Sequence, residues 1–220
     1  MTPTTLPQYV AAWLPELIAA AGNTLRMAIF AFLVAICLGL ILALTRLSGR
    51  PILAGVAAFY VEIIRGAPAL ALLFLIYFGL PSLGLVLPAF LAAVVGLGMN
   101  GGAYVSEIYR AGISAVDRGQ REAAQTIGMT SGQTMRYVIL PQAVRIVLPP
   151  IGNYAIGLLK DTSVASLIGA SELTLRARDL SSEYFMPMQI YILSGAIYFI
   201  MAAPLSAGVR YLERRLRQGR

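Results

Sequence analysis

Three pairs of opposite charge and one polar stretch hold most of what this 220-residue chain could offer to chemistry. Glu62 and Arg65 stand three residues apart, as do Glu107 and Arg110, a spacing that puts both members on one helix face. Lys160 and Asp161 are adjacent. The stretch REAAQTIGMT, residues 121–130, opens on Arg121 and Glu122 and then carries small or uncharged side chains. Such groups can recognise a zwitterion, a carboxylate meeting an ammonium group and a cation meeting a carboxylate. Hydrolysis or group transfer is another matter. There is no histidine, the commonest general base and metal ligand. The single cysteine, Cys37, sits in an apolar run and leaves no disulfide framework or zinc spacing. No G-x-x-x-x-G-K-[ST] phosphate loop occurs, and in GMTSGQT the glycines are wrongly spaced and a lysine is missing. The expectation is a chain with no catalytic residue, no metal and no cofactor of its own.

These groups must be positioned by elements that live in lipid. Hydrophobic residues make up 58% of the chain and charged ones 12%, about half of what soluble domains carry. Gly66–Ser106 and Phe185–Val209 contain no charge at all, and runs of about 18 or more such residues read as membrane helices. The pattern predicts an all-α integral membrane protein forming one domain over residues 1–220. Its five spans fall at about 27–45, 52–79, 89–109, 141–160 and 186–209, with a cytoplasmic loop at about 118–136. Asn23 and Thr24 are placed to cap the first span, Pro81 and Pro88 mark a turn, and Trp13, between Pro7 and Pro15, reads as an interface anchor. Arg46, Arg50, Arg118, Arg121, Arg136 and a tail of Arg210, Arg214, Arg215, Arg217 and Arg220 lie on one side, which the positive-inside rule makes cytoplasmic. The N-terminus is then outside and the C-terminus inside. SELTLRARDLSSE (171–183), whose charges nearly cancel, reads as a short surface helix at the outer mouth. No basic n-region precedes the first apolar run, so no cleavable signal peptide is expected. The net charge of +7 is explained by topology rather than by nucleic acid, and the surrounding partner is membrane lipid.

Within the cytoplasmic loop, residues 119–127 predict a short helix whose Ala123, Ala124 and Ile127 share a face, ended by a left-handed Gly128. Thr130 to Gln133 fits a capping box for a second helix, carrying Met135, Val138 and Ile139 and stopping at Leu140 before Pro141. The result is either a compact knob for another protein or an ordinary interfacial loop with a helix-breaking glycine. Inside the membrane, Pro68 lacks an N–H, so the break at Gly66, Ala67 and Pro68 frees carbonyls one turn earlier for a ligand or water. Glu62 with Arg65 and Glu107 with Arg110 read as interfacial structural pairs. Gly98, Gly101 and Gly102 permit close helix approach, and Gly102 and Tyr104 either line a solute path or pack against the second span. The fourth span is interrupted by Pro149, Pro150, Gly152 and Gly157, a pattern found at transporter binding sites. At its end Asp161 could meet an ammonium group and Lys160 a carboxylate, or the two could pair with each other.

EAAQTIGMTSGQTMRYVILP (122–141) resembles the EAA motif of bacterial ABC importer permeases, matching at Glu122, Ala123, Ala124, Gly128, Leu140 and Pro141, with Val138 where isoleucine is usual. Nearly the whole chain is similar to the polar amino acid branch (histidine, glutamine and arginine type) through VEIIRGAPALALLFLIYFGLP (61–81), NGGAYVSEIYRAGISAV (100–116) and LLKDTSVASLIG (158–169). The resemblance implies coupling helices at Glu122, Ala123, Ala124 and Gly128 that dock into a cytoplasmic ABC ATPase dimer, which alone binds ATP and Mg. It also implies an extracytoplasmic amino-acid-binding protein, a second permease copy or homologous permease, and a place in the bacterial inner membrane. Solute would be an amino acid or a close relative such as an opine, its path passing Gly66, Ala67, Pro68, Gly102, Tyr104, Tyr154, Lys160 and Asp161. Many relatives carry glutamate where this chain has Tyr154, which argues against a path for lysine or arginine unless the partner subunit supplies the charge. An ATP-independent channel or secondary carrier is the competing function, and a non-transporting membrane scaffold the third.

Overall fold

The computed structural model of the chain describes residues 5–217, and every regular element among them is helical. In order these are α1 (Leu6–Leu47), α2 (Pro51–Gly66), α3 (Ala69–Phe74, prolonged to Leu83 by a π-helical and a 3₁₀ turn), α4 (Ala89–Ser114), α5 (Arg118–Thr126), α6 (Ser131–Gln133), α7 (Leu140–Asp161), α8 (Leu173–Tyr184) and α9 (Pro187–Arg217). Arg220 of the basic tail lies outside the described residues. By length and composition α1, α4 and α9 can each cross a membrane, and α2 with α3 makes a fourth candidate bent by 106°. At 22 residues α7 is about 33 Å long, enough to cross, but proline, glycine, asparagine and glutamine dilute its apolar residues.

α4 is the centre. Of its most apolar stretch 61% is buried, against 17% for α9. Small residues make this possible, because lipid offers no hydrophobic drive between helices and close packing must supply the attraction. A Cβ on Gly98 would stand 2.6 Å from the Val34 side chain, one on Gly101 2.7 Å from Ala35 Cβ, and one on Gly102 2.8 Å from Leu38. The three glycines thus seat α4 against α1, the first span, and not against the second. Further along, Gly112 receives the side chain of Val147 from α7.

α1 runs without a break through the positions expected to cap it. Thr24 is fully buried inside the helix; its hydroxyl donates to the Ala20 carbonyl (3.3 Å) and accepts the Leu173 N–H (3.0 Å). The cap reading fails because Thr24 serves α8, which folds back over the first half of α1. The same fold-back corrects Trp13, which is buried rather than anchored at an interface. It packs with Leu17, Leu173, Ala177, Leu180 and Ile190, its ring centroid 5.5 Å from Tyr9 and 5.6 Å from Tyr184. The helix expected in 171–183 is present, yet it buries Leu173, Ala177 and Leu180 and pairs Arg176 with Glu16 of α1. At its start Glu172 is fully buried, accepting the Leu175 N–H (2.7 Å) and the Tyr198 hydroxyl of α9 (2.8 Å).

Two expectations follow from this packing. Gly98→Val overfills the α1–α4 seam and should cost about 1–3 kcal/mol, seen as a lower thermal midpoint in detergent. Gly55→Ala, where nothing lies within 4 Å of the added carbon, should not lower it. Burial also pushes the Glu172 carboxyl above its ordinary range. A carboxyl raised on folding stabilises fully below the unfolded pKa, and that contribution is lost as pH climbs through the raised value. The midpoint should therefore fall from mildly acidic towards alkaline pH, and Glu172→Gln should flatten the slope; an equal slope in the variant would reassign it to other groups.

Candidate functional site

The first station is the knob. Asp117 opens α5 by accepting the Gly119 N–H at 2.7 Å. At the other end Gly128 has φ +81, Gly128 N–H donates to Gln125 O (2.9 Å) and Met129 N–H to Ala124 O (3.1 Å). The pair of bonds is a Schellman motif, and its left-handed residue is where glycine is free of Cβ strain. Thr130 and Gln133 form the expected capping box. Glu122 and Ala123 are exposed and Ile127 is 77% exposed, whereas Ala124 is turned inward at 4%. The expected shared face is therefore split, with Ala124 seating α5 on the second helix and Ala123 and Ile127 presented outward.

The second helix does not stop at Leu140. A π-helical turn over Thr134–Ile139 carries it into α7, with Pro141 in the first turn of that helix. Proline breaks a helix by lacking a donor for the carbonyl one turn back. Here the Leu140 N–H reaches back five residues to Met135 O, and the wider turn absorbs the defect. Val116, Ile139 and Ala143, with Ile113, Met135 and Ile146, form a small apolar core that fastens knob, α4 and α7 together. Pro149 and Pro150 likewise lie inside the unbroken helix.

The second station is the break. α2 ends at Gly66, and Ala67 (φ −92, ψ 143) and Pro68 (φ −60, ψ 136) are extended before α3 begins. The carbonyl that Pro68 leaves without a donor is Ile64's, and it is taken inside the protein: Asn100 Nδ2 of α4 donates to it at 3.4 Å. Tyr60 also donates its hydroxyl to Met99 O (3.1 Å). Gly66, with Arg46, Glu62, Arg65, Glu107 and Arg110, lines a polar cavity of about 410 Å³. Glu107 pairs with Arg110 as expected (2.6 Å), and with Arg46 of α1 as well. Among the described residues no ion pair joins Glu62 to Arg65. The Arg65 guanidinium lies instead over the Tyr104 ring, 5.4 Å from its centroid.

Tyr104 is stacked on Tyr154 of α7, centroids 6.4 Å apart and planes 18° from parallel. Arg65, Tyr104, Glu107, Pro150 and Tyr154 line a cleft of about 450 Å³ that shares Arg65 and Glu107 with the polar cavity. Asp161 stands seven residues beyond Tyr154, two turns along the same helix face. The structure thus gathers Gly66, Tyr104 and Tyr154 around adjoining cavities, with Ala67 and Pro68 forming the break and Asp161 above. Gly102 is buried against Leu38 and supports the wall from behind. Lys160 lines a separate furrow against α9, with Tyr198 and Arg210, and makes no ion pair with Asp161. Sequence reading missed Asn100 and Arg46; the latter's partner lies 61 residues away, beyond any local spacing signal. Chemically the arrangement can hold and pass a small polar solute. Among the described residues no three His, Cys, Asp or Glu side chains group as metal ligands.

Comparison with known proteins agrees with this architecture. Residues 35–218 match the family described as binding-protein-dependent transport system inner membrane component. The chain is 39% identical over 194 residues to the probable glutamine ABC transporter permease protein GlnM of Bacillus subtilis, covering 88% of this chain and 90% of that one. It is 35% identical over 215 residues to the arginine transport system permease protein ArtQ of the same organism, covering 97% and 95%. A crystal structure of an amino acid ABC transporter with histidines superposes with a TM-score of 0.92 at 41% identity, covering 98% of this chain and all of that one.

The notch at Gly101 gives this station its test. A Cβ there collides with the Tyr154 hydroxyl as well as with Ala35. Gly101→Ala should swing the ring off Tyr104 and lower solute flux several-fold, and Gly101→Ala with Tyr154→Phe should recover part of the loss. Flux in vesicles reads both, and an unaffected single variant would remove Tyr154 from the path.

Proposed function

The chain belongs to the family of inner membrane components of binding-protein-dependent transport systems, and on that premise we propose that it is the permease subunit of an ATP-driven amino acid importer. Its solute is a polar amino acid or a close relative such as an opine. The five spans are α1, α2 with α3, α4, α7 and α9, with the N-terminus outside and the arginine-rich end of α9 inside. Two permeases, identical or homologous, enclose the path between them. An extracytoplasmic binding protein delivers solute to the outer mouth, and a cytoplasmic ATPase dimer binds ATP and Mg and performs the hydrolysis.

In this mechanism the exposed Glu122, Ala123 and Ile127 enter the ATPase surface while Gly128 fixes the bend that presents them. Solute moves past the break at Gly66, Ala67 and Pro68 and along Tyr104 and Tyr154. Asp161 meets its ammonium group, and Arg65, at the cleft's edge, its carboxylate. With tyrosine at 154 the cleft has no carboxylate there for a cationic side chain. Neutral side chains are favoured accordingly.

The observation that carries the reading is continuity: the knob's second helix runs unbroken from Ser131 through the π-helical turn into the helix bearing Tyr154 and Asp161, and the docking helix α5 is joined to it by the short hydrogen-bonded turn at Gly128. Motion of an ATPase at the knob must reach the cleft. The test is affinity purification of the tagged chain from its native membrane in mild detergent, beside Gly128→Asp, which forces a Cβ into a left-handed conformation and adds a charge to the docking surface. An ATPase should accompany the wild type and be lost from a variant that still folds and dimerises. No ATPase with well-folded wild type, even after cross-linking, would overturn the importer reading in favour of ion-driven transport.

A further inference from the structure

Glu62 and Arg65 stand one turn apart on α2, yet the proposed solute path uses only the arginine. Both open onto the polar cavity of about 410 Å³ that Arg46, Gly66, Glu107 and Arg110 also line, a size found among small-molecule sites. Their spacing puts the two side chains next to each other on one helix face. Even so, among the described residues neither takes part in an ion pair. The neighbouring helix supplies the reason: the Arg65 guanidinium is drawn to the Tyr104 ring, 5.4 Å from its centroid.

The other charges of the cavity are committed. Glu107 is paired with Arg110 at 2.6 Å and with Arg46 as well. Glu62 is thereby left as a carboxylate with no committed cation. Three guanidinium groups face two carboxylates across the cavity, so its lining carries a small positive excess. A simple cation drawn to Glu62 is opposed by that excess, and a simple anion is opposed by Glu62. A zwitterion satisfies both, with its ammonium group on Glu62 and its carboxylate turned to Arg65. An α-amino acid carries these two groups on one carbon, and side chains whose Cβ atoms are about 5–6 Å apart can hold both at once. Arg65 also borders the cleft of Tyr104 and Tyr154. A solute whose carboxylate is on that arginine therefore need not release it to enter the polar cavity.

We propose that this cavity is a second amino acid site, an exit station in which Glu62 takes the α-ammonium group and Arg65 the α-carboxylate. The orientation proposed above turns the C-terminal ends of α1 and α4, which the cavity adjoins, towards the cytoplasm. Amino acid already delivered to that side can then enter the station and slow the release of more. The inference rests on the amino acid importer reading, and it gives Glu62 a role that the reading alone does not require.

Vesicles that hold the whole complex with its cytoplasmic face outward, the binding protein and a labelled mixture of amino acids sealed within, test it. External ATP should drive label out, and external unlabelled glutamine should slow that export. In Glu62→Gln the glutamine concentration for half inhibition should rise about tenfold, as expected for the loss of one charge-assisted hydrogen bond. Glutaramate, which is glutamine without its ammonium group, should inhibit the wild type weakly. It should inhibit Glu62→Gln more strongly, because the repelling carboxylate is gone. Glu213→Gln, near the end of α9 and outside the cavity lining, should respond as the wild type does. A wild type that glutamine does not slow, an unshifted Glu62→Gln, an equal shift in Glu213→Gln, or the same order of the two inhibitors' strengths with unchanged spacing in Glu62→Gln would each overturn the station while export continues. A wild type that exports no labelled amino acid with ATP would overturn the importer reading itself, and the station with it.

Discussion

A single side-chain amide takes up the carbonyl freed at the break between α2 and α3. In hydrocarbon no water is available to satisfy a broken backbone, so a span can bend through 106° only where the freed groups find partners within the protein. Asn100 is that partner for Ile64, and it can reach because α4 stands at the centre, seated against α1 by three glycines. Bulkier residues in that seam would move α4 outward and strand the carbonyl. The cavity beside Arg65 and the stacked tyrosines depend on the same placement. Packing of the first and third spans thus decides whether the second can be broken at all.

The charged groups follow a related logic. Glu107 joins α1 to α4 by accepting from both Arg46 and Arg110, so the C-terminal ends of these helices are tied by a charge that is itself neutralised. Arg65 is left to the face of Tyr104. At the opposite end buried and half-buried polar groups do the tying. Thr24, Glu172, Thr174 and Tyr198 link α1, α8 and α9 through hydrogen bonds, with no cation on the Glu172 carboxyl.

Local features were legible in the sequence. The helix of the knob, its left-handed glycine, its capping box and the Glu107–Arg110 pair all follow from spacings of two to six residues, which fix backbone and side-chain geometry directly. Readings that needed partners far along the chain went astray. Thr24 looks like a cap only if nothing covers the first half of α1, and α8 covers it. Pro141 looks like a stop only if the preceding turn is α-helical, and a π-helical turn leaves no residue-level signature. Lys160 and Asp161 are neighbours in sequence, yet adjacent helical positions diverge by about 100°, and Lys160 lines a different cavity from the one beside Tyr154.

The fit of Val147 into the hollow at Gly112 has a mechanical meaning. The helical run from Ser131 to Asp161 passes over that contact near its middle, with about 24 Å on the knob side and about 21 Å on the far side at about 1.5 Å per residue. A beam resting on a pivot between nearly equal arms moves its ends by similar amounts in opposite directions. Displacing the knob end of the run would swing its far end the opposite way, and releasing it would reverse the motion. One buried valine is in this way the fulcrum of a see-saw whose two arms are the second helix of the knob and the end of α7.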